Sequence, residues 1–277
     1  GIVMSWLQAL LLGIVQGLTE FLPVSSSGHL MIFRELLGVE SEGFLDFTVT
    51  VHFATVLSTI VVFWSAIWKL LKGFFQFKYN DETDYVLKIC VSMIPIAIVG
   101  LFFKDQVEGL FGENLFTVAV CLIITAILLF LSDQSGRFRS MSSSRSENTH
   151  RNGISYLQAA VVGLGQACAV APGLSRSGTT IATGLICGVR RDVMAQFSFL
   201  MVLVPIIGEQ ALTIIKGIGE TAAAPGVGFL PLLMGFIGAF GAGLFACKVM
   251  VELVKRAKLV WFSIYCLLAA FVILIFA

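Results

Sequence analysis

Charge is what this chain has least of. Its 18 Lys and Arg and 17 Asp and Glu amount to 13% of 277 residues, against 57% hydrophobic residues and a mean hydropathy of +0.94. A soluble domain carries roughly a quarter charged residues. This chain cannot clothe a water-facing surface, so it reads as an all-α polytopic membrane protein. A charge excess is lacking too: the net charge of +1 gives no footing for a nucleic-acid partner. The six cysteines form no CxxC pair and lie in apolar stretches, as small buried hydrophobes do. The opening "GIVMSWLQALLLGIVQGLTE" has no basic n-region and no small-residue cleavage site, and is expected to belong to the mature fold.

What is present is apolar sequence in span-sized lengths. A spanning helix needs about 20 mostly apolar residues. Segments 47–68, 86–103, 114–132, 193–215, 228–247 and 259–276 qualify. Residues 4–37 and 154–189 are also apolar, but Pro, Gly and Ser break each in the middle. Each half is too short to span, so each segment is predicted to be a re-entrant helix hairpin, tolerated only where protein or a wet cavity surrounds the break.

The charge pattern orients these segments. Loops 69–88, 133–152, 190–192 and 248–258 hold fourteen Lys and Arg; loops 34–46, 104–113 and 216–227 hold three, with eight Asp and Glu. The positive-inside rule puts the first group in the cytoplasm. One basic residue, Arg176, is left inside a broken segment. Two acids are left likewise: Glu20 in the other broken segment, and Glu209 near a span end, where it reaches the interface.

The chain is therefore one membrane domain, 1–277, in two halves, 1–132 and 153–277, joined by a polar cytoplasmic linker, 133–152. Each half is a hairpin plus three spans. Three is odd, so the halves enter from opposite sides, and the expected architecture is six transmembrane helices and two hairpins in an inverted-topology repeat. Setting 11–30 over 161–180 matches Gly13 with Gly163, Gln16 with Gln166, Ser25 with Ser175, Ser27 with Ser177 and Gly28 with Gly178. The prolines, Pro23 and Pro172, fall one position out of step.

Each break runs into a Ser/Gly-rich first turn, "SSSGHL" or "SRSGTT". Such hydroxyls cap helices, and the free N–H groups and positive dipole end behind them attract anions. Two such tips with Arg176 and His29 would suit a phosphate, which arginine grips as a fork. Gln16 and Glu20, four apart on one helix face, would add oxygen ligands for a hard divalent cation, Mg2+ or Ca2+. Alternatively Glu20 orients or deprotonates His29 or a serine. Against this stand plainer roles: serines that only cap, and a histidine that is only a satisfied polar group. Ionisable groups inside a membrane are costly, which favours function. His52, alone in a span, divides evenly between the two.

The stretches "QGLTEFLPVSSSGHL" and "APGLSRSGTT", with "FSFL" at 197–200, closely resemble the two signature regions of the bacterial undecaprenyl-diphosphate phosphatases of the bacitracin-resistance type. The resemblance covers essentially the whole chain. That family shows (E/Q)xxxE followed by PVSS(S/T)GH, and PGxSRSxxT. Glu20, Ser26, Ser27 and His29 match the first motif, and Pro172, Gly173, Ser175, Arg176, Ser177 and Thr180 the second. Many members have Glu where this chain has Gln16; glutamine ligates a metal through its carbonyl oxygen and does not act as a base.

The resemblance implies hydrolysis of undecaprenyl diphosphate to the monophosphate, recycling the lipid carrier of wall synthesis, in the bacterial inner membrane with a site open to the extracytoplasmic side. It implies catalytic roles for Glu20, Ser26, His29 and Arg176. Ser25, Ser27, Gly28, Gly173, Ser175, Ser177, Gly178 and Thr180 would bind substrate, and Gln16 with Glu20 a metal. Ser26, His29 and water remain alternative nucleophiles. The partners are the prenyl diphosphate and bilayer lipid, with a homodimer left open. The rival reading is a transporter or flippase for an anionic lipid phosphate, the usual use of inverted repeats with broken helices.

Overall fold

The computed structural model describes residues 4–40, 43–110, 114–141, 150–171, 173–219, 227–256 and 258–276. Its regular structure there is helical: α1 Trp6–Phe21, α2 Ser26–Leu36, α3 Phe44–Val62, α4 Trp64–Phe74, α5 Asp81–Phe102, α6 Lys104–Leu110, α7 Leu115–Met141, α8 Tyr156–Cys168, α9 Arg176–Ile186, α10 Arg191–Gly219, α11 Phe229–Arg256 and α12 Val260–Phe276. A single 3₁₀ turn, Arg151–Gly153, precedes α8.

Among the described residues four helices are long and apolar enough to cross a membrane: Asp81–Phe102, Leu115–Gly136, Arg191–Leu212 and Phe229–Arg256. Asp46–Val62 taken with Trp64–Phe74 would make a fifth. The helices overrun the expected spans at their polar ends. α7 continues to Met141, so the first part of the expected 133–152 linker is helical, and 142–149 lie outside the described residues. Asp133 explains part of this: it pairs with Arg191 at 2.7 Å and accepts from the Val260 backbone N–H at 2.7 Å, fixing the polar turn of α7 to the start of α12. α5 starts at Asp81, not 86, under an Asn80 cap. It carries a buried Lys88–Asp84 pair at 2.7 Å within the expected loop 69–88. α11 likewise runs through the expected loop 248–258 as far as Arg256. The expected span 47–68 stops at Val62, and Phe63 (φ −99°, ψ 17°) separates it from α4.

Both broken segments are pairs of short helices, and both are built by the same bonds 150 residues apart. Ser5 and Gln8 form a capping box at the start of α1; Ser155 and Gln158 form one at the start of α8. The Gln8 amide then donates to Leu37 O, and the Gln158 amide to Cys187 O, each at 3.0 Å. The start of the first helix is thereby tied to the end of the second. Both second helices end in a Schellman motif on a left-handed glycine, Gly38 (φ 65°) and Gly188 (φ 101°). Val39 N–H reaches Arg34 O, and Val189 N–H reaches Gly184 O, at 3.0 Å each.

The contacts of the chain fall into two compact units. The first comprises residues 1–22, 26–62 and 202–250. In it α1 lies on α11 through small residues: a Cβ on Gly13 would stand 2.3 Å from Gly235 O, and one on Gly17 2.6 Å from Ala239 O. Backbones approach this closely only across glycine, the usual way membrane helices pack without a hydrophobic drive. Leu12, Phe47, Val51, Ala54 and Ala239 fill the core beside them.

The second unit comprises 23–25, 63–201 and 251–277. There α8 lies on α5 by the same device: a Cβ on Gly163 would stand 2.3 Å from Ser92 O. α7 packs on α9 and α12. Each hairpin thus docks on a span from the other half of the sequence.

Candidate active site

The α1–α2 break sets an acid and a hydroxyl face to face. Glu20 stands one residue before the end of α1, and Ser26 opens α2. Between them the chain turns sharply, and Ser25 takes φ 67°, a conformation L-residues seldom adopt and one that gathers at functional sites. The turn brings Ser26 Oγ to Glu20 Oε2 at 2.8 Å, with the hydroxyl donating. The same carboxylate oxygen accepts the Gln16 amide N–H at 2.8 Å. A hydroxyl that gives its proton to a carboxylate and keeps its lone pairs outward is an activated nucleophile in outline.

His52, on α3, adds a third neighbour: its Nε2 is 3.9 Å from Glu20 Oε2. Its Nδ1 is 2.8 Å from Thr48 O, which fixes that nitrogen as the N–H bearer. His29 is buried three residues after Ser26, on the same helical face; Gly28 is buried and Ser27 exposed.

The Gln16 amide also bears on the expected cation. Its Nε2 is spent on Glu20, while its Oε1 is buried and has no hydrogen-bond partner among the described residues. A buried bare carbonyl oxygen beside a carboxylate fits a hard cation, which takes oxygen ligands. No group of three His, Cys, Asp or Glu assembles among the described residues, so such an ion would complete its shell from water and phosphate oxygens.

The second motif builds the start of α9. Ser175 caps the helix, accepting from Gly178 N–H at 3.0 Å, and its own N–H donates to Thr125 Oγ1 at 3.3 Å. Ser177 Oγ lies 3.5 Å from Ser175 Oγ. The Thr180 hydroxyl donates to its own helix, at 3.1 Å from both Arg176 O and Ser177 O. Gly173, at φ 93°, passes so near α7 that a Cβ would stand 2.7 Å from Val118 Cα. Its need for glycine is therefore structural at the least. Pro172 lies outside the described residues.

Arg176, half-buried in the first turn of α9, has no ion-pair partner among the described residues. Pro23, from the first break, belongs to this unit and lies against Gly178: a Cβ there would be 3.0 Å from Pro23 Cβ. A cavity of about 360 Å³ in the same unit is lined by Lys69, Asp81, Tyr85, Asn152 and Asp192 among others, and holds none of the motif residues.

These two motifs lie in a stretch, residues 9–272, that matches the family described as bacitracin resistance protein BacA. The chain belongs to this family. It is 49% identical to an undecaprenyl-diphosphatase of Bacteroides thetaiotaomicron over 272 residues, 98% of this chain and 99% of that one. It is 50% identical to one of Parabacteroides distasonis over 269 residues, 97% of each chain. It is 35% identical to an undecaprenyl-diphosphatase of Methanobrevibacter smithii over 283 residues, 98% of this chain and 97% of that one. Membership, with several span-length apolar helices, makes the chain a multi-pass membrane protein.

Two features escaped the sequence. His52 divided evenly there, because a lone histidine in a span carries no spacing signal. The amide of Gln166 is fully buried with both polar atoms unpartnered among the described residues, as is the Thr179 hydroxyl. In the sequence Gln166 stands out only as the counterpart of Gln16 in the expected repeat.

Proposed function

We infer that this chain is an undecaprenyl-diphosphate phosphatase, releasing phosphate from the lipid diphosphate and leaving undecaprenyl phosphate. The observation that carries the reading is the Ser26–Glu20 hydrogen bond within the family's first motif. Relatives of near-equal length bear the phosphatase name, which favours hydrolysis over transport.

Ser26 Oγ attacks the terminal phosphorus as its proton passes to Glu20. The phosphoanhydride P–O bond breaks and undecaprenyl phosphate departs. Water then hydrolyses the phosphoserine, its proton taken by His29, and Ser26 recovers its own proton. Arg176 and the α9 N–H groups hold the phosphoryl oxygens, where charge spreads in the transition state. That both motifs serve one diphosphate is supported by their falling within one family match, residues 9–272. Glu20 and Gln16 would hold a divalent cation; bound there, it would supply positive charge to the diphosphate.

The finer architecture belongs to the same proposal: six spans, two re-entrant hairpins and inverted halves about a cytoplasmic linker, in the inner membrane, with the site open outward. The 150-residue recurrence of caps, cross-hairpin bonds and Schellman ends supports the repeat, and the fourteen-to-three split of basic residues supports the orientation.

The test is phosphate release from a prenyl diphosphate by purified protein in detergent. Ser26→Ala should lose on the order of a thousandfold or more in kcat, and acid quench of the wild type should trap phosphoserine. Turnover of Ser26→Ala within tenfold of wild type would remove Ser26 as nucleophile.

A further inference from the structure

We propose that α4 and the turn after it form a docking surface for anionic phospholipid headgroups. The function above has no use for this segment. Residues 64–80 carry Lys69, Lys72 and Lys78 and no acid. Of the pair that together makes a fifth candidate span, α3 carries the uncharged run: its 19 residues rise about 28 Å at 1.5 Å each, against roughly 30 Å of hydrocarbon. α4 carries Lys69 and Lys72 beside Trp64 and Trp68, residue types that suit the boundary between hydrocarbon and water.

Trp64, Trp68 and Lys72 form one exposed row at four-residue spacing. The two indoles stack with centroids 5.9 Å apart, and Lys72 Nζ lies 5.3 Å over the Trp68 ring. Indoles prefer the headgroup level, and lysines beside them meet lipid phosphates. Of the acids that follow, Asp81 and Glu82 share a cavity lining with Lys69, away from Lys72 and Lys78. Asp81 is paired with Arg151. The Glu82 side chain lies over Gly73, where a Cβ would stand 2.4 Å from Glu82 Cβ. That contact seats α4 on α5, so the row is presented from a fixed base.

The turn adds an apolar wedge. Phe77 is 88% exposed and sits at φ 53°, a left-handed conformation that is an outlier for a bulky residue. It is held there by the turn. Phe77 N–H donates to Phe74 O at 3.3 Å, the Asn80 amide to Gly73 O at 2.8 Å, and Thr83 Oγ1 to Lys78 O at 2.8 Å. Phe75, also largely exposed, lies edge-on to it with centroids 6.5 Å apart. A locked turn that pushes two phenyl rings outward beside Lys72 and Lys78 matches an anionic bilayer surface in both polarity and charge.

The test uses the full chain with Trp6 and Trp261 changed to Phe, so that emission reports Trp64 and Trp68. In detergent, short-chain phosphatidylglycerol should shift that emission at a concentration at least tenfold below phosphatidylcholine. Lys69→Gln/Lys72→Gln/Lys78→Gln should erase the difference, since each lysine near an anionic surface contributes roughly fivefold. Its phosphatase activity in detergent should be unchanged. Phe77→Gly relieves the backbone and should hold or raise the melting temperature while weakening the response to phosphatidylglycerol. In nanodiscs, lipid brominated near the headgroup should quench more than lipid brominated near the chain end. Equal response to the two headgroups, or full preference in the triple variant, overturns the proposal. So does stronger quenching from the deep bromines, which would put α4 inside a span. Absence of quenching from both would mean that protein, not lipid, covers the row.

Discussion

Ser26 depends on a carboxylate six residues behind it. A serine hydroxyl is a weak nucleophile until a base takes its proton, and Glu20 Oε2 at 2.8 Å is placed to do so. Gln16 shares that oxygen, so Gln16→Glu would put two carboxylates within hydrogen-bond distance. Such a pair ionises fully only beside a cation. Gln16→Glu should keep turnover when Mg2+ or Ca2+ is supplied and fall further than wild type in excess EDTA. Equal activity of both proteins in EDTA would remove the cation from this site. At the second motif, Arg176→Ala should cost about 10²–10³ in rate, as loss of one preorganised donor does. Arg176→Lys should recover little of it, because lysine lacks the planar fork. Both should retain the elution profile and melting temperature of wild type. If Arg176→Lys works within about twofold of wild type, the clamp role fails.

Helices in this chain meet across missing side chains. Gly13 and Gly163 each bring a helix within 2.3 Å of another helix's carbonyl oxygen, measured from the Cβ they lack. Neither carbonyl can swing aside without breaking its own helix. Gly13→Ala and Gly163→Ala should each destabilise by about 1–3 kcal/mol, as overpacking does. Gly100, in α5 with nothing within 4 Å, is the control: Gly100→Ala should be neutral or gain about 0.4–1 kcal/mol. Melting in detergent measures all three. At this scale the sequence was informative but incomplete. The two breaks were legible because Pro, Gly and Ser interrupt apolar runs. Helix ends were not, because hydropathy ends where polar residues begin, whereas α7 keeps its hydrogen bonds to Met141 with Asp133 anchored on Arg191 and Val260 N–H. The Glu20–Ser26 pair was legible as a neighbourhood, but its bond was not, since the left-handed Ser25 that aims Ser26 has no signature in residue type. The features that most favour the proposed repeat, the Ser5–Gln8 and Ser155–Gln158 boxes and the Gly38 and Gly188 ends, lie outside residues 11–30 and 161–180.

For the whole molecule, orientation in the bilayer is the open variable that charge decides. A single cysteine at Ser143, in a chain whose six native cysteines are replaced, should resist impermeant reagent added outside intact cells and react once the membrane is opened. Labelling from outside would reverse the assigned topology. The exchange of partners between halves, α1 on α11 and α8 on α5, also bears on how the protein is made. As the ribosome delivers the chain, α1 enters the bilayer more than 200 residues before Gly235, its seat, has been synthesised. Until then its glycine face has no partner, and contacts so distant in sequence form slowly. The first hairpin must wait, held by the insertion machinery or by lipid, and can lock only after α11 arrives. A nascent chain halted after residue 141 should therefore be degraded, as should 150–277 made alone. The two made together from separate messages should protect each other and restore lipid-diphosphate hydrolysis.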